Sequence, residues 1–399
     1  MPIPVVPLSI LPVENFVFKT LYRNQRDRYI TLNFDKVALV GADTIGMPSI
    51  SDERTRLEFF DQPSSLNETL AREHDKLERI AKNVVEKKIQ RIYLVGMGSS
   101  YSAALTAKVF AASITTIPVD VFRGYEFEFE EPLGLGKDSL VVPISFSGET
   151  EDVVSALRYA KKSGAYVVSV SGPEDNTLAK EADDALRIVS KDTKAMVAAH
   201  RTQILLLYLL LGHVAKLRDG ATRVEEIVKE IDGVIRNLGK IITEQESKMN
   251  ELAEMYKNDE VFYVISAGPN YGVAYKLAMT ELTENAWVHG IVQYSTEFRH
   301  GIVEKIEANL PVIFLVGTDS SRVDVLRELE TCRKLNARTI VWDANEFPNT
   351  DPFLTPFYLA VPAEWFVYHL ALKRGRLPSE RRYMGSVIPY ANMKSLSSR

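Results

Sequence analysis

Two short stretches of the chain carry residues that could form the two halves of one active site. Residues 145–150 read Ser-Phe-Ser-Gly-Glu-Thr and follow the apolar run 140–144. Their hydroxyl groups and glycine suit them to bind a phosphate. Further along the chain, Glu284 and His300 are sixteen residues apart and supply a carboxylate and an imidazole, a candidate base and acid. Together these stretches predict an enzyme that moves protons on a sugar phosphate.

A second hydroxyl-rich loop, residues 98–100, follows the predicted strand 92–95. In doubly wound α/β sheets, ligands bind beyond the carboxyl ends of the strands. Both loops run into predicted helices, so backbone N–H groups and helix dipoles would face the same anion. Serine and glycine are also ordinary turn and N-cap residues, which is the simpler explanation for either loop alone. The hydroxyl residues of the two loops are Ser99, Ser100, Ser145, Ser147 and Thr150.

These loops differ from the two best-known nucleotide-binding motifs. Neither loop has the Gly-Lys-Ser/Thr sequence of a Walker A motif. The turn at residues 96–101 lacks the third glycine of a dinucleotide-binding fingerprint. The sequence therefore favours a simple phosphate over a nucleotide.

Glu284 lies near the end of a predicted apolar helix, and a solvated helix face would explain it equally well. Glu281 precedes it by one turn, and His289 competes with His300 as the imidazole. Spacing alone does not choose among these residues. An aldose–ketose type reaction needs a base that carries a proton between C1 and C2 and an acid that opens the sugar ring. A glutamate and a histidine meet both needs.

Bulk composition is that of a globular protein with several domains. The 399 residues are 46% hydrophobic and 25% charged, and the net charge of −5 argues against a nucleic-acid partner. Cys332 is the single cysteine, which excludes an intrachain disulfide and fits a cytoplasmic location. We see no signal peptide, and the apolar run 204–211 is too short to span a membrane. We also see no metal-ligand cluster, and the expected chemistry needs no cofactor.

Strands alternate with helices, which indicates an α/β fold with parallel sheets. Residues 1–57 are Pro-rich and are predicted to be an extension, with short strands at 29–32 and 37–40. Two α/β units of similar layout follow, at 58–225 and 226–399. Predicted strands are 92–95, 117–122, 139–144, 165–170, 185–189, 261–266, 312–316 and 338–342. Predicted helices are 66–87, 101–112, 152–162, 201–217, 224–255, 271–287 and 321–335.

At these motifs the chain resembles the sugar isomerase (SIS) domain family, as a tandem pair of domains covering about residues 58–390. Residues 145–150 are similar to the family's Ser-x-Ser-Gly-Glu-Thr loop, and residues 98–101 to its Gly-Thr/Ser-Ser-Tyr loop. Residues 284–301 resemble the catalytic segment of the isomerase half of glucosamine-6-phosphate synthase. The resemblance implies two three-layer αβα domains. It also implies phosphate binding by Ser100, Ser145, Ser147 and Thr150, with Ser99 beside them.

The same resemblance implies roles for the two candidate catalytic residues. Glu284 would be the C1–C2 base, and His300 would open the sugar ring. His300 would reach the site from the neighbouring subunit of a homodimer or larger homo-oligomer. SIS domains also occur as sugar-phosphate sensors fused to a helix-turn-helix, but residues 1–57 lack the basic helical module that this class needs.

Within the family, residues 258–301 and 381–384 look most like the fructosamine-6-phosphate deglycases. The chain departs from the synthase because it has no N-terminal cysteine nucleophile and carries Val-Ala-Ala-His-Arg at 197–201. Phe146 replaces an often polar loop residue, and Asp319 argues against a second anion site at residues 317–321. The expected reaction is hydrolysis of a 6-phosphorylated ketosamine to glucose 6-phosphate and an amine. The alternative is a glucosamine-6-phosphate deaminase or another aldose–ketose phosphosugar isomerase.

Overall fold

Two parallel β-sheets, each flanked by helices, form the framework of the molecule, as the sequence predicts. A computed structural model describes residues 52–172, 175–190 and 197–384. Within these residues the first sheet has the order β2-β1-β3-β4-β5, with all neighbours parallel. Its strands are β1 (Arg91–Gly96), β2 (Val119–Phe122), β3 (Ser139–Ser145), β4 (Tyr166–Ser171) and β5 (Asp184–Arg187).

The second sheet repeats this layout with fewer strands. Among the described residues its order is β7-β6-β8-β9, again parallel throughout. Its first strand, β6, lies between β7 and β8, just as β1 lies between β2 and β3 in the first sheet. The ends of β1 and β3 are therefore neighbours at the carboxyl edge of the first sheet, and the ends of β6 and β8 are neighbours at the carboxyl edge of the second. The strands are β6 (Val261–Ser266), β7 (His289–Tyr294), β8 (Pro311–Val316) and β9 (Arg338–Asp343).

Helices cover both sheets and fill the space between them. The central strands are buried along nearly their whole length, and near-continuous burial is typical of parallel strands covered on both faces. The α-helices of the described residues are α1 (Glu53–Glu86), α2 (Ser99–Ile114), α3 (Gly124–Phe129), α4 (Glu151–Lys162), α5 (Thr177–Glu181), α6 (Ala198–Asp219), α7 (Arg223–Tyr256), α8 (Tyr271–Lys276), α9 (Arg322–Lys334) and α10 (Thr355–Lys373).

Helix α1 begins well before the predicted start at residue 66. Asp52 caps it, because its carboxylate accepts the backbone N–H of Thr55 at 3.2 Å. The sequence around Pro63 suggests a turn, but this proline lies inside the helix. The helix continues through it because Phe59, on the preceding turn, is buried against Trp365 of α10, with ring centroids 3.6 Å apart. Tertiary packing thus outweighs the local turn signal.

The predicted helix 271–287 is also different in the structure. Its first part is α8, but residues Leu277–Asn285 form a π-helix. The chain then enters β7, a strand that the sequence analysis does not predict. The polar stretch that follows forms a short 3₁₀ helix, Ser295–His300. Glu284 therefore lies on a π-helix and not on an ordinary α-helix.

Several sequence predictions fall outside the described residues. These are the short strands at 29–32 and 37–40 and most of the extension 1–57. The domain boundaries at 58 and 226 stay predictions. Among the described residues, no helix is long and apolar enough to cross a membrane.

Candidate active site

The loop after β3 is organised around the Ser145 hydroxyl. Its Oγ lies 2.7 Å from Thr150 Oγ1 and 3.3 Å from Ser147 Oγ, and it accepts the backbone N–H of Gly148 at 3.2 Å. Gly148 has φ +67°, and a Cβ here would lie 2.0 Å from Asn176 Oδ1, so this position requires glycine. The loop thus gathers three hydroxyl groups around one tight turn.

The same loop leads directly into α4. Thr150 is the N-cap residue of this helix. Within the described part of the chain, the backbone N–H groups of Ser147 and Thr150 have no intramolecular partner. A helix N-terminus with free N–H donors and hydroxyl groups is suited to hold an anion.

The loop after β1 lies at the neighbouring strand end. Gly98 is the N-cap residue of α2, and Ser99 and Ser100 form the first turn of that helix. Ser100 is buried and Ser99 is half-buried. Because β1 and β3 are adjacent in the sheet, the two hydroxyl-rich loops emerge side by side at its carboxyl edge. The five hydroxyl residues therefore share one edge of the first sheet.

This edge contacts the π-helix of the second half of the chain. Gly98 has φ +51°, and a Cβ at this residue would lie 3.4 Å from Thr280 Cγ2. Thr280 precedes Glu284 by four residues on the π-helix. Nearby, the rings of Tyr101 and Tyr275 are 5.3 Å apart between centroids. The candidate phosphate loop and the candidate base thus lie on adjoining elements of a single chain.

The Glu284 side chain is 44% exposed, and its carboxylate forms an ion pair with Arg381, with Nε and Oε2 3.2 Å apart. Partial burial raises the pKa of Glu284, and Arg381 acts in the opposite direction. Water limits the effect because the side chain is not enclosed. A carboxylate with a raised pKa in an accessible position is suited to take and return a proton.

The segment after α10 covers the end of the π-helix. Trp287 has φ +56°, and its Nε1–H donates to the backbone oxygen of Glu284 at 3.0 Å. The guanidinium of Arg376 lies 4.2 Å from the Trp287 ring centroid, and that of Arg382 lies 5.2 Å from it. Arg381 and Trp287 both contact Glu284, and neither is predicted as a site residue from the sequence. Arg381 belongs to the Arg-Arg-Tyr-Met stretch at 381–384, which resembles the deglycases, and Trp287 belongs to the segment 284–301, which resembles the catalytic segment of the synthase, but neither resemblance reveals this contact.

The other candidates occupy distinct positions. His300 is exposed at the end of its 3₁₀ helix, and within this chain no hydrogen bond or ion pair joins it to Glu284. His289 is exposed at the start of β7. Glu297 is also exposed. Glu281 is buried and paired with Lys276 Nζ at 2.5 Å, so its carboxylate is not available to a substrate.

The structure explains why the sequence at residues 197–201 differs from that of the synthase. Arg201 is fully buried on α6, and its guanidinium lies 2.6 Å from Glu364 on α10. His200 Nε2 lies 2.9 Å from Ser102 Oγ, and this hydroxyl donates to the backbone oxygen of Gly272. Burial lowers the pKa of His200 well below its usual value, so the ring is neutral. These two residues join α2, α6 and α10 and do not line the loops.

The corresponding loop of the second sheet has different chemistry. Asp319 Oδ1 accepts the backbone N–H of Ser321 at 2.9 Å. A Cβ on Gly268 or Gly317 would lie within 2.6 Å of the Asp319 carboxylate, so this negative group fills the turn between the ends of β6 and β8. An anion there would meet a carboxylate in place of the hydroxyl groups that surround Ser145.

Comparison with known proteins identifies relatives over most of the chain. Residues 86–213 match the SIS domain family model. A fructoselysine 6-phosphate deglycase of Escherichia coli K12 is 30% identical over 312 residues, which cover 78% of this chain and 90% of the relative. A fructosamine deglycase of Bacillus subtilis strain 168 is 26% identical, covering 81% of this chain and 99% of the relative.

A solved structure has the same fold. The C-terminal domain of glucosamine-fructose-6-phosphate aminotransferase from Francisella tularensis superposes with a TM-score of 0.75 at 23% identity, covering 82% of this chain and 99% of that one. The hydroxyl-rich loops at the edge of a parallel sheet, the match to the family model and the deglycase relatives agree. This chain is an enzyme of the SIS domain family, related to phosphosugar deglycases and isomerases.

Proposed function

We propose that this enzyme hydrolyses a 6-phosphorylated ketosamine to glucose 6-phosphate and a free amino acid or amine. The observation that carries the proposal is the contact between the first loop and the π-helix, where Thr280 adjoins Gly98 four residues before Glu284. A phosphate held by the loops would bring the carbon chain of the sugar towards a carboxylate on an adjoining element. The names of the Escherichia coli and Bacillus subtilis relatives support a fructosamine phosphate as the substrate.

The proposed reaction begins with binding of the phosphate by Ser100, Ser145, Ser147 and Thr150, with Ser99 beside them. His300 then donates a proton that promotes opening of the sugar ring. Glu284 removes a proton from C1, which gives an enaminol, and reprotonation at C2 gives an aldimine. Water adds to C1 of the aldimine, the C1–N bond breaks, and the amine leaves with glucose 6-phosphate as the second product.

We also propose that His300 acts on the substrate bound beside Glu284 of a neighbouring subunit in a homodimer or larger homo-oligomer. In support, both side chains are exposed in one chain and are not joined to each other within it. A proton donor for ring opening must come within hydrogen-bond reach of the same substrate from which Glu284 removes the C1 proton. An exposed imidazole supplied by a second subunit would meet this requirement.

The decisive experiment incubates the purified enzyme with 6-phosphorylated fructosyl amino acids and follows glucose 6-phosphate. Substrates should differ in the amine, for example fructosyl-lysine, fructosyl-glycine and fructosyl-asparagine phosphates, and Glu284→Gln protein is the control. The proposal predicts turnover of at least one substrate by the natural chain and a large loss in the variant.

Parallel reactions with glucosamine 6-phosphate and with fructose 6-phosphate separate the alternatives. All these reactions share proton transfer between C1 and C2, so the same two residues could catalyse each of them. Release of ammonia from glucosamine 6-phosphate, with no turnover of any fructosyl amine, would replace the deglycase by a deaminase. Interconversion of phosphosugars alone would indicate an isomerase.

A further inference from the structure

The π-helix that carries Glu284 rests on a buried group of charged residues. Lys276 lies between two carboxylates, 2.5 Å from Glu281 Oε1 and 2.8 Å from Glu364 Oε1. Arg201 contacts the other oxygen of Glu364 at 2.6 Å. All four side chains are almost completely buried. With all four ionised, the group has two positive and two negative charges and is neutral overall.

The spacing between Lys276 and Glu281 is unusual for a helical ion pair. Residues five apart on an α-helix point about 140° away from each other, because each residue turns the helix by about 100°. In a π-helix the backbone bonds run between residues five apart, so such residues lie one above the other. The ion pair can therefore close across the π-helical backbone and not across an α-helical one.

Two further contacts in the same segment have this spacing. The hydroxyl of Thr283 donates to the backbone oxygen of Ala278 at 2.8 Å. The backbone N–H of Ala286 donates to the backbone oxygen of Glu281 at 3.3 Å. These two contacts fit the π register between Ala278 and the end of the helix, whereas the hydroxyl of Thr280 donates to the backbone oxygen of Lys276, only four residues before it, at 2.8 Å.

We propose that the buried Lys276–Glu281–Glu364 bridge selects the π-helical register and thereby positions Glu284 against Arg381. An α-helical register would turn Glu281 away from Lys276 and leave the buried Glu281 carboxylate without its ion-pair partner, which is strongly unfavourable, while Lys276 would keep Glu364. A register shift of one residue would also rotate Glu284 by about 100°. Lys276, Glu281 and Glu364 are positioning residues in this account, because burial keeps them from the substrate. The consequence for catalysis rests on the proposed function, whereas the register itself does not.

The test removes both members of the i,i+5 pair together. Lys276→Met/Glu281→Leu leaves Arg201 and Glu364 as a neutral pair, so no unpaired buried charge prevents folding. Lys276→Gln/Glu281→Gln is the conservative partner variant, since its two amides can still hydrogen bond across the π register. The control is Lys240→Met/Glu244→Leu, which removes an exposed ion pair of 3.6 Å from α7.

Crystal structures of these proteins provide a readout that does not depend on activity. We expect an α-helical register at residues 277–285 and loss of the Glu284–Arg381 contact in the Met/Leu variant alone. Retention of the π register or of that contact in this variant would overturn the proposal. If the Met/Leu variant does not fold, Lys276→Met/Glu281→Gln provides the same test, because the amide at position 281 then has no partner at position 276.

Kinetics provide the second readout. The Met/Leu variant should lose about 100-fold in kcat with little change in KM, as a misplaced catalytic group does, while the Gln/Gln variant stays within a few-fold of the natural chain. A changed register with unchanged kcat would also overturn the proposal. If the natural chain turns over no fructosyl amine phosphate, the proposed function fails. The crystal structures would then still show whether the Lys276–Glu281 pair selects the π register at residues 277–285.

Discussion

Arg381 Nε lies 3.2 Å from Glu284 Oε2, so the segment that follows the last described helix contacts the proposed base. The pair does not have hydrogen-bond geometry at Nε and is an ion pair. Arg381 is 18% exposed and Glu284 is 44% exposed, so solvent weakens but does not remove their attraction. The contact thus joins the C-terminal end of the described chain to the proposed base on the π-helix.

Replacement of Arg381 should change the pH dependence of catalysis. Glu284 must be deprotonated to act as a base, and Arg381 lowers its pKa. Arg381→Gln removes that effect, so the acid limb of the kcat/KM profile should move to higher pH. The variant should lose a few-fold in kcat/KM on the acid limb, and this loss in kcat/KM should diminish on the plateau at higher pH. The measurement is a pH–rate profile of both proteins.

The matched control for this prediction is Arg158→Gln. Arg158 forms a surface ion pair with Glu181, with Nη2 and Oε1 2.6 Å apart, and it lies on α4. Its removal should leave the acid limb unchanged. An unchanged limb in Arg381→Gln as well would mean that this arginine does not influence the titration of the base.

Glu284→Gln should reduce kcat by about 10²- to 10⁴-fold, because the amide keeps the shape of the side chain but cannot accept the C1 proton. Binding of the sugar phosphate should be retained, and calorimetric titration measures it directly. Glu297→Gln is the control, since Glu297 is also an exposed carboxylate in the catalytic segment. A near-native rate for Glu284→Gln, with a large loss for Glu297→Gln, would transfer the role of base to Glu297.

Ser145→Ala should weaken substrate binding more than it slows turnover. This hydroxyl contacts Ser147, Thr150 and the N–H of Gly148, so its removal disorganises the whole loop. Hydrogen bonds to a charged group contribute about 1.5–3 kcal/mol, so we expect KM to rise by about 10- to 100-fold. Ser163→Ala, which removes a hydroxyl bound to the Tyr159 backbone oxygen at 3.0 Å, should leave KM unchanged. Equal KM values for the natural chain, Ser145→Ala and Ser163→Ala would argue that the phosphate binds elsewhere.

His369 should make the fold sensitive to acid. Burial lowers the pKa of His369 to about 4, although Glu246 acts to raise it. The unfolded chain, with an ordinary histidine pKa of about 6.5, takes up a proton first, so stability is lost as the pH falls from 6.5 towards 4. This loss amounts to at most about 3 kcal/mol.

Urea unfolding at pH 7 and at pH 4.5 measures this effect. His369→Gln should show a smaller difference between the two values of pH than the natural chain does. His289→Gln removes an exposed histidine and should leave that difference unchanged. Identical pH dependence in His369→Gln and the natural chain would contradict the assignment.

Much of the fold follows from the sequence because the central strands of both sheets are continuous apolar runs. The runs at 92–95 and 139–144 become β1 and β3, and they bring the two loops to one edge of the sheet as expected. Such strands are buried on both faces, so their composition alone reveals them. The structure confirms the α/β fold, and the family match and the deglycase relative confirm the SIS family, whereas the roles of the individual site residues stay predictions.

The elements that the sequence does not predict depend on tertiary contacts. Helix α10 is absent from the predictions, and it contains Pro356 in its first turn and Pro362 in its interior, both of which weaken a local helix signal. Strand β7 is an edge strand with only partial burial, so it lacks a clear apolar run. The π-helix depends on a buried contact between Lys276 and Glu281 that ordinary helical periodicity does not reveal.

The central claim is that Glu284 of one subunit and His300 of another act on the same substrate. Glu284→Gln and His300→Asn chains are each inactive in this account, but a hybrid dimer has one site with both natural residues. Mixing the two variants under conditions that exchange subunits should therefore restore part of the activity, up to about a quarter of the natural rate for random pairing into dimers. Sedimentation at the assay concentration should show a dimer or a larger oligomer. No recovery in a mixture proven to contain hybrids, or full activity in a monomer, would contradict the claim.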